Sequence, residues 1–167
     1  MKTILSIDKI NQLTKNDFIS IFGNIFEKTK WIADSAYNLK PYKNTKELSA
    51  TMVKIYENSK KKDCLKIFNA HPELAVEKNL TEDSRSEQNN SNLDQCNDDE
   101  FNEFQTLNNK YKKKFGFPFI ISVKGKSKNE ILNNFKKRIK NEINLEFKEA
   151  KEQVKKIANS RLNKIID

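Results

Sequence analysis

Apolar residues recur along this chain at intervals of three and four, the period of a helix with one buried face. Phe18, Ile21, Phe22, Ile25 and Phe26 make the first such stripe, and Thr14 stands where an N-cap would open it. Trp31, Ile32, Ala36 and Leu39 continue the helical pattern after a bend, until "LKPYKNT" breaks it. Thr45 is the expected cap of the next helix, with Leu48, Met52, Ile55 and Tyr56 on one face. A short helix from Ser59 carries Leu65, Ile67 and Phe68. It must end near His71, because Pro72 disfavours helical geometry at the residue before it. Residues 76–97 are polar, with Leu80 and Leu93 as main anchors. Their composition fits a disordered loop, or a short helix capped by Thr81 or Ser84. A clear helix then starts at Asn97 or Asp98, with Phe101, Phe104, Leu107, Tyr111 and Phe115 in one stripe, Gly116 at C′ and Pro118 as a stop. "SKNE", Ser127 to Glu130, is a capping box for a helix bearing Ile131, Leu132, Phe135, Arg138 and Ile139. The last helix runs from about Asn144, with Phe147, Ala150, Val154, Ile157, Ala158, Leu162 and Ile165 inward.

One run breaks the helical period. "FPFIISVKG" reads as β-like, but no second run could pair with it. It is expected as a buried extended segment at about 117–124. Buried backbone must satisfy its N–H and C=O groups. Without a sheet, those groups either pack into the core or meet a ligand. The whole pattern, with only three Gly and three Pro, predicts an all-α fold. The length of 167 residues fits a single domain over 1–167.

Composition changes this picture little, and charge somewhat more. The N-terminus lacks an apolar run long enough for a signal sequence, and no window approaches a membrane span. The C-terminal "KIID" is no peroxisomal address. The expectation is a cytoplasmic protein with no membrane partner. The net charge is +9, although residues 81–100 hold seven acidic residues and one Arg. The lysines scatter over every helix face without interleaved aromatics, so they read as a solvated surface. Of 32 basic residues, only Arg85, Arg138 and Arg161 are arginine. Each is thus a candidate for a task that needs a planar fork.

Three places break local rules, as functional sites do. Arg161 follows Ile157 by four and Val154 by seven, on or beside the apolar stripe of the last helix. It either snorkels outward or works inside. Arg138 follows Ile131 by seven, but its neighbours are lysines, which favours a surface role. The second place is the apolar run 117–124. The third is His71, the only histidine. A single histidine is more often structural than catalytic. Here, however, it sits at a helix end with Pro72 fixing the backbone, and imidazole exchanges protons near neutral pH. Ser84, Glu87 and Gln88 offer a hydroxyl, a carboxylate and an amide, and share a face if that stretch is helical. One His and two separated cysteines, Cys64 and Cys96, make neither a metal cluster nor a CxxC site. Phosphate loops, GxSxG and HExxH are missing. An enzyme built from these parts would use acid/base chemistry and positioning, with no cofactor and no metal.

"HPELA" (71–75), "SRSEQ" (84–88), "FGFPFIISVKGKSKNEIL" (115–132) and "IANSRL" (157–162), in this order and spacing, resemble the 2-oxo-4-hydroxy-4-carboxy-5-ureidoimidazoline (OHCU) decarboxylases. That family performs the last step from urate to (S)-allantoin. The resemblance covers essentially the whole chain. It implies an all-α helical bundle of that type, a cofactor-independent carboxy-lyase and a homodimer. It also implies a small-molecule substrate and no nucleic acid. His71 matches the catalytic histidine and Glu87 the acidic residue of the site. Pro72, the stretch Ser84, Arg85, Ser86 and Gln88, the segment Phe119, Ile120, Ile121, Ser122 and Val123, and Arg161 match substrate-contacting positions. The family has Gly where this chain has Asn92, and Asn tolerates left-handed backbone better than most residues. Two alternatives come from other classes. A basic helical nucleic-acid-binding module would show a steep salt dependence of binding. A non-catalytic ureide-binding homologue would be stabilised by allantoin without turnover.

Overall fold

A computed structural model describes residues 4–76 and 80–167, so Glu77 to Asn79 of the polar stretch lie outside the described residues. Among the described residues, nine α-helices follow one another: α1 (Ile7–Gln12), α2 (Lys15–Phe22), α3 (Lys30–Tyr37), α4 (Thr45–Glu57), α5 (Lys61–Ala70), α6 (Glu82–Asn90), α7 (Asp98–Phe115), α8 (Lys128–Arg138) and α9 (Ile143–Leu162). Among the described residues there is no β-strand, only an isolated bridge between Leu5 and Ile166. The all-α expectation is met. The chain forms two compact units, residues 1–70 with 155–167, and residues 71–154. The residues of α9 through Val154 group with the second unit and those from Lys155 with the first.

In the first unit, Thr14 caps α2 by accepting from the Asp17 N–H at 3.2 Å. Phe18, Phe22, Ile25 and Phe26 are all buried as expected. The cap of α4 is Asn44 rather than Thr45: its side chain accepts from the Glu47 N–H at 2.8 Å. Asn is at least as good a cap as Thr, and here it stands one residue earlier. In α3 the buried positions are Ile32, Ala33 and Ala36, whereas Trp31 and Leu39 are exposed. A helix starting at Lys30 turns Trp31 about 100° away from Ile32, off the buried stripe. The C-terminal segment closes on this unit. The Leu5 N–H donates to the Ile165 C=O at 2.7 Å, and the Thr45 hydroxyl to the Asp167 C=O at 2.6 Å.

The second unit is built on aromatic rings. Tyr111 meets Phe117, Phe119 and Phe135 edge-on, and Phe119 stacks on Phe135 with centroids 3.9 Å apart. Burying each such ring is worth about 1.5–3 kcal/mol over leaving it exposed. Asn97 and Ser127 both make full capping boxes, opening α7 and α8. Gly116 ends α7 at φ 79°, where a side chain would be strained. The inward stripe of α7 is Phe104, Asn108, Tyr111 and Phe115. Phe101 and Leu107 are only half-buried, as is Phe147 in α9.

Candidate active site

α5 ends at Ala70, and His71 follows, buried at 7% exposure. The next residues are non-helical, as Pro72 requires, and they are pinned from two sides. Gln88 accepts from the Ala75 N–H at 3.1 Å and donates to the Glu73 C=O at 3.2 Å. Asn108 donates to the Leu74 C=O at 3.0 Å. Ala75 sits at φ 55°, a left-handed conformation uncommon for alanine, and Gln88 holds its N–H there. The backbone after His71–Pro72 is therefore set by two buried amides.

Gln88 comes from α6, so the polar stretch 76–97 is helical from Glu82 to Asn90 rather than a loop. Thr81 is its cap, accepting from the Ser84 N–H at 3.2 Å. Ser84 and Gln88 are buried and Glu87 is half-buried, so the three expected side chains do share a face. Arg85 and Ser86 are exposed. Arg85 lines a cavity of about 260 Å³ with Ala75, Leu80, Gln88, Leu93 and Phe101. Beyond α6, Asn92 takes φ 60° and ψ 24°, a left-handed conformation that Asn tolerates better than most residues.

The run from Phe117 to Ile121, with Val123, is buried and belongs to no helix or strand. Its backbone is held by side chains. The Ile120 C=O accepts from Arg138 at 2.7 Å. The Ser122 N–H donates to Gln153 at 2.9 Å, and the Ser122 C=O accepts from Lys126 at 2.9 Å. The Val123 C=O accepts from the Ser91 hydroxyl at 2.9 Å. Ser91 thus ties the end of α6 to this segment. Among the described residues, no hydrogen bond engages the N–H or C=O of Ile121.

Arg138 corrects the surface role expected of it. It is 6% exposed, and its Nε donates to Glu146 Oε1 at 2.8 Å. Glu146 is fully buried and also takes the Tyr111 hydroxyl and the Asn141 amide. Burial first, and then the hydrogen bond to Glu146 and its charge, push the pKa of the Tyr111 hydroxyl upward. Neighbouring lysines hid this: the i+3 and i+7 relation of Arg138 to Phe135 and Ile131 was the better guide.

Arg161, in the first unit, is turned inward at 2% exposure. Its Nη2 lies 2.7 Å from Glu27 Oε2, and its Nη1 donates to the Asn24 C=O at 2.8 Å. Glu27 is fully buried in a turn with positive φ at Glu27 (29°) and Lys28 (53°). Sequence reading missed Glu27, Glu146 and Gln153. For Glu27 the available signal was a lone carboxylate directly after the apolar Phe22–Phe26 stripe.

Among the described residues the fold is all-helical. It superposes on a crystal structure of (S)-allantoin synthase with a TM-score of 0.79 at 27% identity, covering 98% of this chain and 54% of that one. It also matches an OHCU decarboxylase solved in the presence of (S)-allantoin, with a TM-score of 0.70 at 27% identity, covering 84% and 94%. The OHCU decarboxylase family model matches residues 11–163, and this chain belongs to that family. It is 38% identical to the uric acid degradation bifunctional protein of Bacillus sp. (strain TB-90) over 97% of this chain, but spans only 32% of that longer protein. It is 31% identical to the 2-oxo-4-hydroxy-4-carboxy-5-ureidoimidazoline decarboxylase of Haloferax volcanii, over 95% of this chain and 94% of that one.

Proposed function

We propose that this chain decarboxylates 2-oxo-4-hydroxy-4-carboxy-5-ureidoimidazoline to (S)-allantoin and CO2 in urate degradation, as a carboxy-lyase without a cofactor. The observation that carries this reading is the family match over residues 11–163, which spans both compact units. The same span supports residues 1–167 acting as one family domain. The substrate bears a carboxylate on a ring carbon that also carries a hydroxyl. When the C–CO2 bond breaks, its electron pair passes into the adjacent C=N and carbonyl system. The hydroxyl on the carbon that lost CO2 then gives up its proton and becomes a ring C=O, while a proton adds to one face of the neighbouring carbon that bears the ureido group.

His71 is the general acid/base, taking the ring hydroxyl proton or delivering the stereospecific one. Its buried position beside a fixed Pro72 backbone suits a ring that must hold one orientation. Glu87 orients the imidazole or a ring N–H. Ser84, Gln88 and the Phe119–Val123 backbone hold the ureido and ring amide groups, with Pro72, Arg85 and Ser86 beside them. Arg161 enters through the family motif, as the fork for substrate oxygens. Among the described residues, no helix is long and apolar enough to cross a membrane. The reading includes a cytoplasmic homodimer with no nucleic-acid partner. A mass near twice that of the chain in light scattering checks the dimer.

The deciding experiment follows (S)-allantoin formation from freshly generated substrate. His71→Asn is expected to lose about 10²–10⁴-fold in turnover. Equal rates in both proteins would remove His71 from catalysis.

A further inference from the structure

The buried charge pair Arg138–Glu146 has no part in the chemistry proposed above, yet it reaches the substrate segment directly. Arg138 presents Nε and Nη2 to Glu146 Oε1 and Nη1 to the Ile120 C=O. Its guanidinium carbon lies 4.4 Å from the centroid of the Phe119 ring, which also stacks on Phe135 and meets Tyr111 edge-on. Glu146 is saturated by Arg138, Tyr111 and Asn141. Such a pair is weak evidence for stability, because desolvating two charges offsets their attraction. What it does supply is a fixed position for one backbone carbonyl.

The other anchors follow a pattern. A trans peptide points its C=O and N–H in opposite directions. Arg138 on the Ile120 C=O therefore aims the Ile121 N–H away from the guanidinium. Gln153 on the Ser122 N–H likewise aims the Ile121 C=O away from itself. No described residue takes the N–H or C=O of Ile121. One donor and one acceptor on a single residue match a cis amide or ureide edge, which offers C=O and N–H side by side.

We propose that Arg138, held by Glu146, is a positioning residue. By fixing the Ile120 carbonyl, it turns the N–H of Ile121 toward the ureide or ring-amide edge of the substrate, beside the C=O that Gln153 aims. The inference rests on the reading that the Phe119–Val123 segment meets the substrate. An amide edge remote from the breaking C–CO2 bond is bound equally in ground and transition states. Loosening it should then raise KM and leave kcat nearly untouched.

The test uses the full chain in three forms: wild type, Arg138→Lys, and Arg138→Met combined with Glu146→Gln. Arg138→Lys keeps the ion pair but loses the fork that serves Glu146 and Ile120 together. The double variant removes both charges and leaves the Tyr111 hydroxyl an acceptor. In each folded variant KM is expected to rise about tenfold with kcat within about threefold of wild type. The backbone amide signal of Ile121, which (S)-allantoin should shift in wild type, is expected to respond less. A folded variant with wild-type KM and a wild-type Ile121 response overturns the proposal, and so does a kcat loss with KM unchanged. If the double variant does not fold, Arg138→Lys decides alone. If wild type neither forms nor binds (S)-allantoin, it is the functional reading that fails.

Discussion

Arg161 and Glu27 show what one residue can and cannot reveal by itself. The scarcity of arginine made Arg161 a candidate for inside work, and its burial at 2% exposure agrees. Its partner carries no periodic signal, because Glu27 reaches it from a turn. That turn holds two successive non-glycine residues at positive φ, each costing about 1–3 kcal/mol. Local bonds fix it: the Lys28 N–H donates to Asn24 Oδ1 at 2.9 Å, and the Thr29 hydroxyl donates to the Glu27 C=O at 3.0 Å. Removing one charge leaves the other buried. Glu27→Ala should therefore lower stability by about 3–5 kcal/mol, read from urea unfolding. Replacing both residues by Met should cost far less, and equal losses in the two proteins would show that the pair is not the source. Arg138 teaches the same lesson in reverse. Its flanking lysines suggested the surface, while its helical spacing to Ile131 and Phe135 pointed inward, and packing followed the spacing.

At the scale of elements, the sequence was most legible where a short side chain caps a helix. Thr14, Asn97 and Ser127 begin α2, α7 and α8 as their neighbours implied. Caps are local, since donor and acceptor lie three residues apart. Asn97→Ala removes one half of a capping box and should cost about 1 kcal/mol, measured as a lower urea midpoint at unchanged slope. An unchanged midpoint would mean that tertiary packing alone sets the start of α7. Legibility fell where helix phase mattered. In α3 a start at Lys30 buried Ile32 and left Trp31 outside. Composition could not choose between loop and helix for α6 either. That helix buries only Ser84 and Gln88, and it is tied in by hydrogen bonds to Glu73 and Ala75 rather than by apolar area.

For the whole molecule, the perturbed groups fix how stability answers to pH. The Glu100 carboxylate is held below its ordinary range by the Asn97 N–H and then by Lys128. The Ser127 backbone and hydroxyl do the same for Glu130. A lowered folded-state pKa gives stability that is present above the ordinary value near 4.5 and lost as pH falls through the folded one. Burial pushes the Tyr42 hydroxyl up to about 12, so its contribution is complete below pH 10 and lost as pH rises toward 12. Urea midpoints followed across pH should thus fall at both ends. Glu100→Gln with Glu130→Gln should flatten the acid limb, and Tyr42→Phe the alkaline one; limbs parallel to wild type would reject these assignments. The sequence by itself determined most of the helices, the caps at Thr14, Asn97 and Ser127, the break at His71–Pro72, the non-helical run after Gly116 and the family. All of these rest on neighbours within a few residues or on ordered motifs. Only the tertiary structure decided which polar groups meet: Glu27 with Arg161, Glu146 with Arg138, Gln153 with Ser122, Gln88 with the backbone beyond His71. These partners lie 8 to 134 residues apart along the chain, where no periodicity connects them, and burial alone made their pairing obligatory.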